Sequence, residues 1–110
     1  MTFAQLANPE ELTDFLNNHS DAAIVAFSAT WCGPCKVAKP KLVQFANTCP
    51  VPIGYVYEED LEDFLDVFVK LSGFPTYMLF QNGQEKARVQ GTNWEELENM
   101  INNVQISGSS

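Results

Sequence analysis

The sequence predicts a single α/β domain, and three observations carry that prediction. Residues 22–27 form a short, almost wholly apolar run, which suits a strand covered on both faces. Stretches with helical spacing alternate with short strand-like runs along the rest of the chain. The pair Asn82-Gly83 is a tight-turn signal that joins two late strand-like runs as an antiparallel hairpin. A length of 110 residues allows one core and not two. The 45% apolar and 18% charged content is that of a folded chain, not a disordered one. No internal repeat or domain boundary is visible. The domain is read as residues 1–106, and 107–110 as a flexible polar tail: a terminus, a linker or a cloning remnant.

The elements follow in order. Residues 2–7 are a short, weak strand candidate at a sheet edge. Asn8-Pro9-Glu10-Glu11 starts a helix: Asn8 can cap, Pro9 fits the first helical position, and the glutamates favour the positive end of the dipole. Leu12, Phe15 and Leu16 make its apolar stripe, and the polar run 17–21 ends it. Strand 22–27 leads into a dithiol and a helix that runs to about Asn47. Pro40 lies inside that helix, where a proline removes a backbone hydrogen bond and bends the axis. Pro50 and Pro52 break the chain before strand 53–57. Residues 60–71 place Leu61, Phe64, Leu65, Phe68 and Leu71 on one helical face, and Gly73 stands where a left-handed C-terminal residue belongs. Phe74-Pro75-Thr76 precedes strand 77–80, and the Asn82-Gly83 turn leads to strand 86–90. Asn93 and Glu96 form a capping box for a last helix with Leu97, Met100, Ile101 and Val104 on its apolar face. The order is β-α-β-α-β-α-β-β-α.

The chemistry concentrates at Trp31-Cys32-Gly33-Pro34-Cys35-Lys36, between a buried strand and a helix. A C-x-x-C in that setting is a redox motif. The thiolate is the nucleophile, and an ordinary cysteine with a pKa of about 8.5 is mostly protonated at neutral pH. Cys32 stands at a helix N-terminus, where free N–H groups and the dipole favour negative charge, so it is the attacking thiol. Cys35, one turn into the helix, is the resolving thiol. Gly33 and Pro34 let the sulfurs approach and restrain the loop. A zinc site would need two further ligands, and only Cys49 and His19 remain, without partner spacing, so no metal is expected. Cys49 lies 14 residues beyond Cys35, roughly 20 Å along a helix. A disulfide needs Cα atoms within about 7 Å. Cys49 is therefore read as an inert, semi-buried thiol at a helix end. The net charge of −8 argues against nucleic acid and anionic membrane as partners. No apolar run approaches the length of a membrane span. With three cysteines and no signal-peptide pattern, a reducing, cytoplasmic setting is the expectation.

Taken together these residues resemble the thioredoxin family over essentially the whole chain. The matches are the active-site stretch from Trp31 to Lys36, the kinking Pro40, Phe74-Pro75-Thr76 before the fourth strand, and Gly91 after the fifth. The resemblance implies a central mixed five-stranded sheet flanked by four helices, with the last two strands antiparallel. It implies reduction of protein disulfides by a monomer that binds no cofactor. Electrons would come from NADPH through a flavin-containing thioredoxin reductase. It implies a cis Pro75 facing the dithiol, and a docking surface made of Trp31, Phe74, Pro75 and Gly91. Phe74 reads equally as a core aromatic, Trp31 as partly packing, and Gly91 as a turn glycine. Pro34, rather than a histidine, resembles the reducing members. One departure stands out. The family's buried aspartate in the strand before the dithiol, the proposed acid/base for the resolving cysteine, is replaced by Ala26. Glu58 and Glu59 are candidate substitutes, and the bacterial-type buried lysine has Tyr55 as its nearest counterpart. The alternative function is a thioredoxin-fold binding module, or a subunit of a larger assembly, with little turnover.

Overall fold

A computed structural model of the protein describes residues 3–60, 73–91 and 93–108, with side chains to residue 103. Five strands form one sheet: β1 (Phe3–Gln5), β2 (Ala23–Ser28), β3 (Ile53–Tyr57), β4 (Thr76–Gln81) and β5 (Gln84–Gln90). Their spatial order is β1-β3-β2-β4-β5. β1, β3 and β2 run parallel, while β4 and β5 pair antiparallel, so the sheet is mixed. The described residues carry three α-helices: α1 (Pro9–Asn18), α2 (Gly33–Ala46) and α3 (Trp94–Gly108). A short 3-10 turn, Glu58–Asp60, follows β3. The fourth helix expected over 60–71 lies outside the described residues beyond Asp60.

Strand alternation sorts the core to two faces. On β2, Ile24 and Ala26 point into a cluster with Leu42 and Ala46 of α2 and with Leu97, Met100 and Ile101 of α3. Ala23, Val25 and Phe27 point the other way, toward Leu12, Phe15 and Leu16 of α1. Every residue of β2 is therefore buried, as its unbroken apolar run predicts. α1 begins as expected: Asn8 Oδ1 accepts from the Glu11 N–H at 2.9 Å, with Pro9 in the first turn. The capping box of α3 also forms in part, the Glu96 N–H donating to Asn93 Oδ1 at 3.1 Å. Asn82 (φ +56°) and Gly83 (φ +77°) both take the left-handed region, the turn whose twist matches the β4–β5 hairpin.

Two expectations change. Gly73 does not adopt the left-handed conformation, which among the glycines belongs to Gly83 and Gly91. A Cβ there would stand 2.8 Å from Gln90 Nε2, the far end of a flexible, exposed side chain that can move aside. The last helix runs on to Gly108, two residues past the expected domain end, because no residue before that glycine breaks it.

Candidate active site

β2 ends at Ser28 and α2 begins at Gly33, so the dithiol occupies the crossing from the middle of the sheet to a helix N-terminus. Cys32 is the N-cap of α2, with extended backbone (φ −84°, ψ 108°), and its Sγ accepts the Cys35 N–H at 3.2 Å. Cys32 and Cys35 form a disulfide, their Cα atoms 5.3 Å apart. The Cys32 N–H donates to Ala29 O at 3.1 Å, and the Lys36 N–H to Cys32 O at 3.2 Å, which fixes the loop onto the helix. Exposure does not separate the two sulfurs: Cys32 is 4% and Cys35 2% accessible. Position does. Cys32 caps the helix and receives an N–H, while Cys35 lies within the first turn, against Ala29. Pro34 occupies the start of α2. Gly33 faces open space, so no steric demand for a glycine exists at that position.

The Phe74–Pro75 bond is cis and Pro75 is buried. Pro75 O accepts the Gly91 N–H at 2.8 Å, and Thr76 Oγ1 donates to Gly73 O at 2.7 Å. Gly91 holds φ at +86°, a conformation that favours glycine. Phe74 is half-buried and packs on the cluster of Ala29, Cys32 and Cys35. The Trp31 ring, 66% exposed, meets Phe74 edge-on with centroids 5.7 Å apart. Trp31, Phe74, Pro75 and Gly91 are thus joined by direct contacts beside the dithiol. Cys49 sits at the far end of α2 and is fully buried rather than semi-buried, and burial pushes its thiol pKa up.

Ala26 is wholly buried, in register with Tyr55 of β3 on one side and Tyr77 of β4 on the other. The space beneath the dithiol is thus flanked by phenols. The Tyr55 hydroxyl donates to Ser28 Oγ at 2.9 Å. Burial raises the pKa of both phenols, that of Tyr77 to about 12, so both stay neutral through the physiological range. Of the two glutamates considered as substitutes, Glu59 engages the loop before the dithiol. Its carboxylate accepts from the Thr30 N–H at 3.0 Å and from the Thr30 hydroxyl. The Thr30 hydroxyl bond holds that carboxyl below its ordinary pKa. Glu58 lies half-buried in the same 3-10 turn.

Lys39 belongs to no motif of the sequence. Its Nζ donates to Gln5 Oε1 and to the Tyr57 hydroxyl, each at 3.2 Å. It lies 4.6 Å from the Tyr55 ring centroid and 5.4 Å from that of Tyr57. The available signal was helical spacing, since Lys39 stands one turn beyond Cys35.

Comparison with known proteins agrees with this geometry. The sequence model of the Thioredoxin family matches residues 4–103. Thioredoxin-2 of Pyricularia oryzae is 34% identical over 103 residues, covering 92% of this chain. The chain spans 58% of that protein's length. Thioredoxin of Oryctolagus cuniculus is 32% identical over 105 residues, 91% of this chain and 96% of that one. Among solved structures, the reduced thioredoxin pre-protein of Schistosoma mansoni superposes with a TM-score of 0.87 at 27% identity, over 94% of this chain and 99% of that one.

Proposed function

The chain belongs to the thioredoxin family, and from that premise we propose that it reduces protein disulfides as a thiol–disulfide oxidoreductase. The observation that carries this reading is the Cys32–Cys35 disulfide closed at the N-terminus of α2, with the cis Pro75 loop packed beside it. In the reduced form the Cys32 thiolate attacks one sulfur of a target disulfide. A mixed disulfide forms and one target thiolate leaves. The Cys35 thiolate then attacks Cys32 Sγ, and the second target thiolate leaves. Two electrons have passed to the target, and the chain is left with the disulfide seen here. The Cys35 N–H, aimed at Cys32 Sγ, and the helix dipole stabilise the attacking thiolate. The target lies across Trp31 and Phe74, its extended backbone alongside Pro75 and Gly91.

Electrons reach the disulfide from NADPH through a thioredoxin reductase, and the protein works as a monomer in the cytoplasm. Pro34 supports a couple near the roughly −270 mV of thioredoxin itself rather than the roughly −180 mV of protein disulfide isomerase. The binding-module alternative is disfavoured, because a formed dithiol disulfide in a thioredoxin domain is the apparatus of exchange. Turnover of a protein disulfide with NADPH and a thioredoxin reductase tests the reading. Cys32→Ser should abolish turnover, and Cys35→Ser should trap the target as a mixed disulfide at Cys32. Intact folding with no turnover in the wild type would leave the binding module as the answer.

A further inference from the structure

A second recess lies beside the dithiol, on the flank away from the cis-proline loop. It has a volume of about 660 Å³, and its lining includes Ser28, Thr30, Lys36, Lys39, Tyr55 and Tyr57. The sheet order fixes its side. Tyr55 and Tyr57 belong to β3, whereas Pro75 leads into β4, and β2 with its dithiol loop runs between them. For a chain that lies over Cys32 with one arm on Phe74 and Pro75, this groove is on the β3 side, across β2 from that arm.

The groove is lined largely by apolar surface, with Ala29, Pro40 and Val43 beside the rings of Tyr55 and Tyr57, and it carries two cations in an acidic chain. Basic side chains number six against 14 acidic, and two of the six, Lys36 and Lys39, line this recess. Lys36 is exposed, and Lys39 is half-buried with its Nζ held by the neutral oxygens of Gln5 and Tyr57 over two aromatic rings. Among the described residues no carboxylate pairs with either ammonium. The carboxylates of Glu58, Glu59 and Asp60 follow Tyr57 in the 3-10 turn, and that of Glu59 accepts from Thr30 and keeps its charge. The walls offer further donors to an anion in the hydroxyls of Ser28 and Tyr57, each of which accepts a bond and keeps its own proton free.

We propose that this groove is a specificity subsite that receives an acidic side chain of the disulfide-bearing target, on the arm that leaves the dithiol toward β3. The proposal rests on the oxidoreductase reading above and deepens it. Lys36 and Lys39 lie four and seven residues beyond Cys32 on α2, or roughly 6 and 10 Å along the axis. An extended chain advances about 3.3 Å per residue. The matching carboxylate therefore stands two or three residues from the cysteine under attack. A net charge of −8 repels acidic partners at long range, so the groove admits an acidic group only where the register seats it.

The test uses disulfide peptides that differ only in Glu or Gln at positions two or three residues from the attacked cysteine, on each side in turn. The readout is the ratio of kcat/KM for the Glu peptide to that for the Gln peptide, so a general change in rate cancels. The ratio in the wild type should exceed the ratio in Lys36→Gln/Lys39→Gln by about two- to fivefold at low salt, the size of partly exposed ion pairs. The difference should shrink at 0.5 M salt as the charges are screened. Equal ratios in the two proteins, at every peptide position, would overturn the proposal. So would a low-salt dimer of the wild type that Lys39→Gln dissolves in sedimentation, because a second copy of this chain would then fill the groove. If neither peptide is reduced at all, the oxidoreductase reading itself fails, a result distinct from equal ratios.

Discussion

Ala26 changes what the dithiol can hand its proton to. An aspartate there would place a carboxylate between Tyr55 and Tyr77, in full burial. The site instead has two phenols that remain neutral, and Glu59 is spent on Thr30. If Cys35 gives its proton to solvent, its attack on the mixed disulfide should quicken with pH. Introducing a carboxylate by Ala26→Asp should speed target release near pH 6.5 and flatten its pH profile, as read in stopped-flow reduction of a protein disulfide. Coincident profiles would show that an acid at this position has no bearing on the exchange. The same change should cost about 3 kcal/mol of stability in urea unfolding, because it buries a charge without a partner. The active-site dipeptides were legible at this scale because their spacing is local. Lys39 was not, because its partners Gln5, Tyr55 and Tyr57 come from two other strands or their ends.

At the scale of elements, the helix starts were legible from short-range chemistry. Asn8, Pro9, Asn93 and Glu96 act within one turn, and the helices begin where those residues place them. Asn93→Ala should therefore lower stability by about 1 kcal/mol, measured by thermal or urea unfolding. α2 runs through Pro40 without ending, and its buried residues Cys35, Ala38, Leu42 and Ala46 keep helical spacing across it. Burial of that stripe outweighs one lost hydrogen bond, as tertiary packing commonly does. Gly91 anchors the cis-proline loop, its N–H donating to Pro75 O at 2.8 Å. Gly91→Ala should cost roughly 1–2 kcal/mol, since an L side chain at φ +86° is strained, and should raise KM for protein disulfides. Gly73 shows where local rules fail: it stands where a helix end calls for a left-handed glycine, yet its backbone does not take that conformation.

At the scale of the whole molecule, buried acids tie stability to pH. Tyr77 is 2% exposed, and its phenol is pushed up to about 12 against an ordinary value of 10. The fold favours the neutral form, so this stabilisation is complete below pH 10 and is lost as pH rises from 10 through 12. Cys49 acts with the same sign from its ordinary value of 9 upward. Urea midpoints should therefore hold steady from pH 7 to 8.5 and fall steeply above pH 10. Tyr77→Phe should flatten the upper part of that fall. A midpoint that is unchanged at pH 11 would show that neither group titrates in the unfolding transition.

The order of the described elements, the two helix caps, the hairpin turn and the redox dithiol follow from the sequence by itself, because each depends on residues within a turn or two of one another. Tertiary structure decided the rest. It set β2 between β3 and β4, which brought Pro75 to one side of the disulfide and the lysine-lined groove to the other. It surrounded Ala26 with phenols and turned Glu59 toward Thr30. Such contacts join residues that are far apart in the chain, and only the closing of the core brings them within reach of one another.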